Sequence, residues 1–356
     1  MPIPRICLSL ALALALAPAA NAVPADIQVA AGQEWNHVPT GLKLPAQLSG
    51  LERQKVTAID GQETDVGANY WSADGSDNIT IYLYRNVSGS VPLWFDRARN
   101  LIQLLPEKYP NPKSLGVRPF TPRGQSAATG LMELFTTDGK FRTTGVMLLP
   151  VNGFYAKVRA SSSTRDAAAL EQLMVAAINR IDWSSRGKEV AATPVADCPA
   201  PLPARKPAKL AKLSQEDQMM AAILGGVVAQ AGAIEDEKET AAEVEVISYC
   251  REPGPLQIPY GIYRPVGSSD RYMMAIFDAG RAIVVGSSDL LQILSKTKKP
   301  ARVSVSYVEM ERTSTFGDFM SLPLPEQALE HVQKSAPLSV ASTWGKQRNL
   351  TINSGK

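Results

Sequence analysis

Two turn dipeptides constrain the fold of this chain more than any other feature. Asp138-Gly139 lies between the segments Leu131–Thr137 and Lys140–Leu149, and Asn152-Gly153 lies between Val146–Val151 and Phe154–Ala160. Such pairs suit two-residue turns whose central residues take positive φ, the geometry that matches the twist of an antiparallel pair. Together they predict a three-stranded antiparallel meander from about Ser126 to Ala160. In its last strand Phe154, Ala156 and Val158 alternate with Tyr155, Lys157 and Arg159, so one face is buried and the other wet. Ile79, Ile81 and Leu83 alternate with Thr80, Tyr82 and Tyr84 in an earlier strand, and Leu51–Ile59 and Asp65–Trp71 are weaker strand candidates.

Two helices punctuate these strands. Pro92 opens the first, as a proline can in a first turn. Trp94, Ala98, Leu101, Ile102 and Leu105 form its apolar stripe, and Pro106 ends it. Ser163 and Asp166 are spaced as a capping box for the second, whose stripe is Leu170, Leu173, Met174, Ala177, Ile178 and Ile181. Strands, helix, strands, helix in that order imply an antiparallel sheet with packed helices, an α+β arrangement. In element order alone it resembles the PsbP/Mog1-like sandwiches, a likeness that carries no function.

A composition shift follows. Residues 185–213 are rich in proline, alanine and lysine and have no hydrophobic periodicity, as expected of a semi-rigid spacer. It divides the expected N-terminal α+β domain, residues 23–184, from a C-terminal one, residues 214–356. The basic run within the spacer is read as solvated, with contact to an anionic surface as the other reading.

The second half opens on a helix capped by Ser214, with Asp217 in capping-box spacing. Met220, Ile223, Leu224, Val227, Val228 and Ala231 form one face, and Ala222, Gly225, Gly226, Ala229 and Gly232 form a small-residue face opposite. The apolar run Met219–Ile234 is short for a bilayer and contains Gln230, so a helix buried against a sheet is expected rather than a span. Glu235-Asp236-Glu237 is read as a surface turn. Strands are expected over Glu243–Cys250, Tyr272–Phe277, Arg281–Val285, Ala301–Glu309 and Leu350–Ile352. Asp278-Ala279-Gly280 suits a three-residue hairpin loop, and short helices are expected at Leu290–Leu294 and from Pro325 to about Lys334.

The N-terminus carries an export pattern. A basic start with Arg5, an apolar run Ile6–Ala17, the breaker Pro18 and the small-x-small triplet Ala20-Asn21-Ala22 predict a cleaved secretory leader, residues 1–22, with the cut between Ala22 and Val23. The expected location is the periplasm or the exterior. Of the three cysteines, Cys7 lies in the leader, and an oxidising compartment favours pairing of Cys198 with Cys250.

The chain has 37 basic and 34 acidic residues among 356, too balanced for a nucleic-acid binder. None of Gly139-Lys140, Gly187-Lys188 and Gly345-Lys346 is followed by Ser or Thr, so the phosphate-cradling loop is missing, and no G-x-G-x-x-G follows a strand. Gly286-Ser287-Ser288-Asp289-Leu290 has Leu290 where a nucleophile elbow needs its second glycine, so Ser287 or Ser288 is read as a helix cap. Ser185–Lys188 and Ser76-Asp77-Asn78 match penicillin-recognising fragments in reversed order, with no K-T-G. His37 and His331, the two histidines, have no second ligand at metal spacing, and Asp60, Glu63 and Asp65 lack a calcium loop's spacing.

Tyr70, Trp71, Tyr82 and Tyr84, with Tyr155, Lys157 and Arg159, could form an aromatic–cationic platform, unless helices cover that face, which is the expectation here. The reading is therefore an exported, soluble, non-catalytic binding or scaffold protein of the cell envelope. It needs no catalytic, cofactor or metal residues, has no nucleic-acid partner and no span in the mature chain, and its partner is an unidentified envelope protein or polymer. The alternatives are an exported hydrolase whose site assembles only in three dimensions, and a component held in the membrane by Met219–Ile234.

Overall fold

The computed structural model describes residues 24–60, 62–183, 188–202, 206–212, 214–237, 247–256, 259–287, 302–346 and 348–353. The leader and its cut at Ala22 and Val23 lie outside the described residues, as do Ser288 and the helix expected at Leu290–Leu294.

The strands β1 (Ala25–Ile27), β2 (Trp35–His37), β3 (Leu42–Leu44), β4 (Gln47–Leu48), β5 (Leu51–Ala58), β6 (Asp65–Trp71) and β7 (Asp77–Arg85) precede helix α1 (Val91–Gln103). Then come β8 (Lys113–Ser114), β9 (Arg118–Phe120), β10 (Gly130–Thr136), β11 (Thr143–Val151), β12 (Phe154–Ser162) and helix α2 (Ala167–Ile178). These strands build one antiparallel sheet in the order β1-β5-β6-β7-β12-β11-β10-β8, with β4 beside β5 and β9 beside β10, while β2 and β3 pair apart as a hairpin.

Helix α3 (Gln215–Glu237) leads into β13 (Tyr249–Arg251), β14 (Tyr260–Pro265), β15 (Tyr272–Ile276), β16 (Arg281–Ser287), β17 (Val303–Val308) and β18 (Arg312–Thr315). Helix α4 (Pro325–Lys334), β19 (Ser339–Ser342) and β20 (Leu350–Ile352) complete the chain. This second sheet is an antiparallel meander in chain order from β13 to β20. Both sheets are antiparallel with helices packed on them, the α+β class expected.

The two Asx-Gly dipeptides behave differently. Asn152 and Gly153 take φ of 44° and 75°, and Val151 pairs with Phe154, so this is the expected two-residue turn. The β10–β11 loop is longer, because pairing stops at Thr136↔Thr143 and Thr137 N–H bonds to the Arg142 carbonyl. Asp138 N–H donates instead to the Pro110 carbonyl, and a Cβ on Gly139 would stand 2.7 Å from Pro110 Cδ. Gly139 thus serves close packing, not a mirror-image turn. Asp166, not Ser163, caps α2, accepting from Ala169 N–H at 2.8 Å. The run Glu235-Asp236-Glu237 is the last turn of α3 rather than a surface turn.

The first sheet buries both faces. On one, Ile79, Ile81, Met147, Leu149, Val158 and Ala160 pack with Leu170, Met174 and Ile178 of α2. On the other, Tyr84, Val146, Leu148 and Tyr155 pack with Trp94, Phe95, Ala98 and Ile102 of α1. That second cluster continues into the second sheet through Tyr263, Met273, Ala275, Ala282 and Met310. The far face of the second sheet packs Met274, Ile283, Val285 and Val305 against Ala328 of α4.

The described residues of the expected spacer are tied to both sheets. Glu189 accepts from Ser126 and Ala127 N–H groups, Cys198 N–H donates to Arg251, and Ala211 N–H donates to Asp318. Cys198 and Cys250 form a disulfide with Cα atoms 4.9 Å apart, closing a loop with a sequence separation of 52. No helix among the described residues is long and apolar enough to cross a membrane. A Cys198→Ser, Cys250→Ser chain should lose about 4 kcal/mol of stability through the freed loop, measured by urea denaturation against the oxidised parent.

Candidate functional site

Strand alternation sets up the junction between the sheets. In the β7–β12 pair Tyr84 stands opposite Tyr155, Tyr82 opposite Lys157 and Thr80 opposite Arg159, so these side chains share one face. The face is not open to solvent. Helix α1 covers part of it, and the β15–β16 turn covers the rest. That turn has four residues, Phe277 to Gly280, since Ile276 pairs with Arg281, and Phe277 takes a φ of 49°. A bulky residue in the left-handed region is strained, and it holds Asp278 at the tip of the turn.

Asp278 meets two cations of the first sheet. Lys157 Nζ lies 2.8 Å from its Oδ2 and donates to its carbonyl at 3.0 Å. Arg159 Nη2 lies 3.1 Å from the same Oδ2 and donates to the Ala98 carbonyl of α1 at 2.8 Å. Lys157 also sits 4.8 Å from the Tyr82 ring centroid and 5.5 Å from that of Tyr84. Burial alone would push the Asp278 carboxyl up, but Lys157 and Arg159 outweigh it and hold it down at about 2. Burial lowers the Lys157 ammonium, with Asp278 opposing.

Further ion pairs cross the same junction. Arg281 reaches Asp65 at 3.1 Å; burial pushes that carboxyl up to about 6 against the pull of Arg281 and Lys157. Arg85 donates to the Met310 carbonyl and Thr343 hydroxyl, with its guanidinium 4.9 Å from the Trp344 ring. From α1, Asp96 accepts from Arg251 at 2.9 Å, the Tyr263 hydroxyl at 2.7 Å and Asn100 Nδ2 at 3.0 Å. Arg251 also holds Asp197 at 2.7 Å, and Arg97 donates to the Phe277 carbonyl at 3.0 Å.

A cleft opens beside this second cluster. It has a volume of about 120 Å³ and is lined by Arg97, Asn100, Arg251, Tyr260, Tyr263 and the Glu252–Leu256 segment. Glu252 is itself ion-paired with Arg264. The walls therefore combine two guanidinium groups, the Glu252 carboxylate, an amide and two aromatic rings. Such a set can hold a small anion; it contains no nucleophile with a base in reach.

The residues singled out from sequence fall elsewhere. His37 is fully buried, donating from Nε2 to the Glu63 carbonyl and accepting at Nδ1 from Thr40, each at 2.8 Å. His331 lies between the rings of Phe316 and Phe319 and bonds Gly317 and Ser335. Asp77 pairs with Arg165 at 2.8 Å and Asp60 bonds Thr64, while Ser185–Gly187 lies outside the described residues. Among the described residues no three His, Cys, Asp or Glu side chains are arranged to hold a metal ion. Asp96, Arg97 and Arg251 carried no motif, and Asp278 was legible only as the first residue of an expected hairpin loop; a further signal was the polar set Asp96, Arg97 and Asn100 within an amphipathic α1. Comparison with known protein families, curated proteins and solved structures finds no match for this chain.

Asp278→Asn should cost about 3–5 kcal/mol, since it leaves Lys157 and Arg159 buried without their anion; adding Lys157→Met should recover part of that loss in the same denaturation assay. A second expectation concerns acid. Burial lowers the His37 imidazole to about 4, partly opposed by its bond to Glu63. Its neutral form is favoured in the fold, so its contribution is complete above the unfolded value near 6.5 and is lost as pH falls towards 4. Fully expressed, this amounts to about 3 kcal/mol, and His37→Gln should flatten the pH dependence of the urea midpoint over that window.

Proposed function

We propose that this chain is an exported, non-catalytic binding protein of the cell envelope, whose joined sheets act as a scaffold for a ligand held in the junction cleft. The observation that carries this reading is the meeting of Arg97, Arg251, Asn100 and Tyr260 around one cavity. The expected leader, residues 1–22, supports the location, and the Cys198–Cys250 disulfide suits an oxidising compartment.

The size of the cavity narrows the ligand. At about 120 Å³ it falls well below the roughly 300–1,000 Å³ of pockets that enclose a whole cofactor or drug-sized molecule. It suits one anionic end group, a carboxylate or phosphate, of a larger envelope protein or polymer. Arginine forks fit the planar two-oxygen edge of a carboxylate or phosphate, and the Tyr260 ring offers an apolar wall beside them.

A second reading has one specific observation behind it. The Ser335 hydroxyl donates to His331 Nδ1 at 2.9 Å, while His331 Nε2 donates to the Gly317 carbonyl at 3.0 Å, a serine beside a base that is itself oriented. This would serve the exported-hydrolase alternative. The binding reading takes the pair as a closure of α4, because Ser335 N–H also bonds the His331 carbonyl and the ring is wedged between two phenylalanines.

Thermal-shift and calorimetric titration with acetate, inorganic phosphate and short peptides ending in a free carboxylate should show binding. Amidated peptides should bind at least tenfold more weakly. Arg251→Lys keeps a charge opposite Asp96 but removes the fork, and should cost about tenfold in affinity. No heat and no shift from any of these probes would overturn the assignment of the cleft. Covalent labelling of Ser335 by a fluorophosphonate, lost in His331→Asn, would instead establish the hydrolase.

A further inference from the structure

The segment from Ala196 to Leu202 lies against β13, the end strand of the second sheet, with Asp197 bridged in parallel to Arg251. Its sequence explains why it adds no full strand. Pro199 and Pro201 carry no N–H, so from Cys198 to Leu202 only every second residue can donate from its backbone. Cys198 N–H donates to the Arg251 carbonyl at 2.8 Å, and Arg251 N–H donates back to the Ala196 carbonyl at 2.9 Å. Leu202 N–H donates to the Glu252 carboxylate at 2.8 Å, and the Ala200 carbonyl accepts from Arg264. A segment with so few backbone bonds needs another tie. The buried disulfide supplies it, joining Cys198 to Cys250, the residue before Arg251.

This segment fixes two charged walls of the cleft. Arg251 is gripped from both sides: Asp197 accepts from Nε at 2.9 Å and lies 2.7 Å from Nη2, while Asp96 of α1 accepts from Nη1 at 2.9 Å. Two carboxylates on different edges set the plane of the guanidinium. Glu252 is the wall that would repel an anion, and its charge is taken up by Leu202 N–H and by Arg264, which is itself anchored on Ala200. Asp96 is held by burial within α1, but the Asp197 side chain is 59 % exposed. Its place depends on the backbone bonds beside it and on the disulfide.

Resting on the reading of the cleft as an anion site, we propose that Asp197 is its positioning residue and that the Cys198–Cys250 disulfide makes anion binding depend on oxidation state. Asp197 acts on the ligand through Arg251. With the disulfide closed, the segment keeps the Arg251 fork aimed and the Glu252 carboxylate engaged. Reduction by a dithiol breaks the S–S bond: two electrons and two protons pass to the sulfurs, the chain is left with two thiols, and the dithiol closes into its own disulfide. The proline-spaced segment then has too few bonds to stay in place. Asp197 leaves Arg251, the fork loses its aim, and the released Glu252 carboxylate repels an anion in the cleft.

Calorimetric titration with inorganic phosphate and with a short peptide ending in a free carboxylate compares the oxidised parent, the parent reduced with dithiothreitol, Asp197→Asn and Asp197→Glu. Asp197→Asn should weaken binding about tenfold, and Asp197→Glu, which keeps the carboxylate, should recover most of that loss. Reduction should weaken binding at least as much as Asp197→Asn, with the circular dichroism spectrum unchanged. The asparagine variant, altered at an exposed side chain, decides the case without touching the disulfide. Phenylglyoxal labelling, read by mass spectrometry, should rise severalfold at Arg251 in Asp197→Asn and in the reduced chain and stay unchanged at exposed Arg142; a general loss of stability would not single out one arginine. A parent that binds neither probe would remove the cleft reading and this proposal with it. A parent that binds, with equal or tighter binding in the reduced chain and Asp197→Asn or with Arg251 labelled no faster in either, would overturn the proposal and leave the cleft reading intact.

Discussion

The ion cluster around Asp278 is the interaction on which the arrangement of this protein depends. One carboxylate at the tip of a turn faces an ammonium and a guanidinium from a neighbouring sheet, and all three are largely withdrawn from water. Removing such ions from solvent costs several kcal/mol each, recovered only when the geometry is good and the remaining donors find acceptors. Here the Lys157 ammonium meets both carboxylate and carbonyl of Asp278 over two tyrosine faces, and Arg159 is shared with α1. A contact of this kind adds orientation to the apolar cluster beside it. Tyr84, Trp94, Met273 and Met310 would tolerate small slides, whereas a buried charge separated from its partner is heavily penalised.

Helix α1 carries the same logic to the cleft. Trp94, Ala98 and Ile102 face the first sheet, and Asp96, Arg97 and Asn100 are also buried. A surface helix of a two-layer α+β unit would keep that second set in water. Here the set meets Arg251 and Tyr263 of the second sheet, so the helix lies between two partners and forms the rear wall of the cleft. The binding groups and the groups that join the sheets are therefore neighbours on one helix, and a ligand in the cleft would feel the geometry of the whole junction.

Local elements were legible where local physics decides them. The alternation of Ile79, Ile81 and Leu83 with Thr80, Tyr82 and Tyr84 marked β7, Pro92 and Pro106 bracketed α1, and Asn152-Gly153 marked the turn before β12. Where a distant segment intervenes, the same signals misled. Asp138-Gly139 reads as a tight turn, yet the backbone at Asp138 bonds to Pro110 and the loop widens around it. The polar side of β12 was expected under helices, and α1 does cover part of it, but the contribution of Asp278 was not legible, because alternation reports which residues share a face and not what lies over that face. In α3 both faces are apolar, so periodicity could not say which one meets the sheet; the glycines did so by permitting the closer approach.

By itself, the amino-acid sequence determined the antiparallel α+β class, most strand and helix positions, the export pattern and the candidate cysteine pair, because each follows from neighbouring residues or from composition. Only the tertiary structure decided that the sheets share a core, that Asp278, Asp65 and Asp96 are their charged contacts, and that Arg97 and Arg251 converge on a cleft. Those contacts join residues over a hundred positions apart. Their energy comes from desolvation and mutual Coulomb attraction, which depend on distance and burial after folding and leave no periodic trace along the chain.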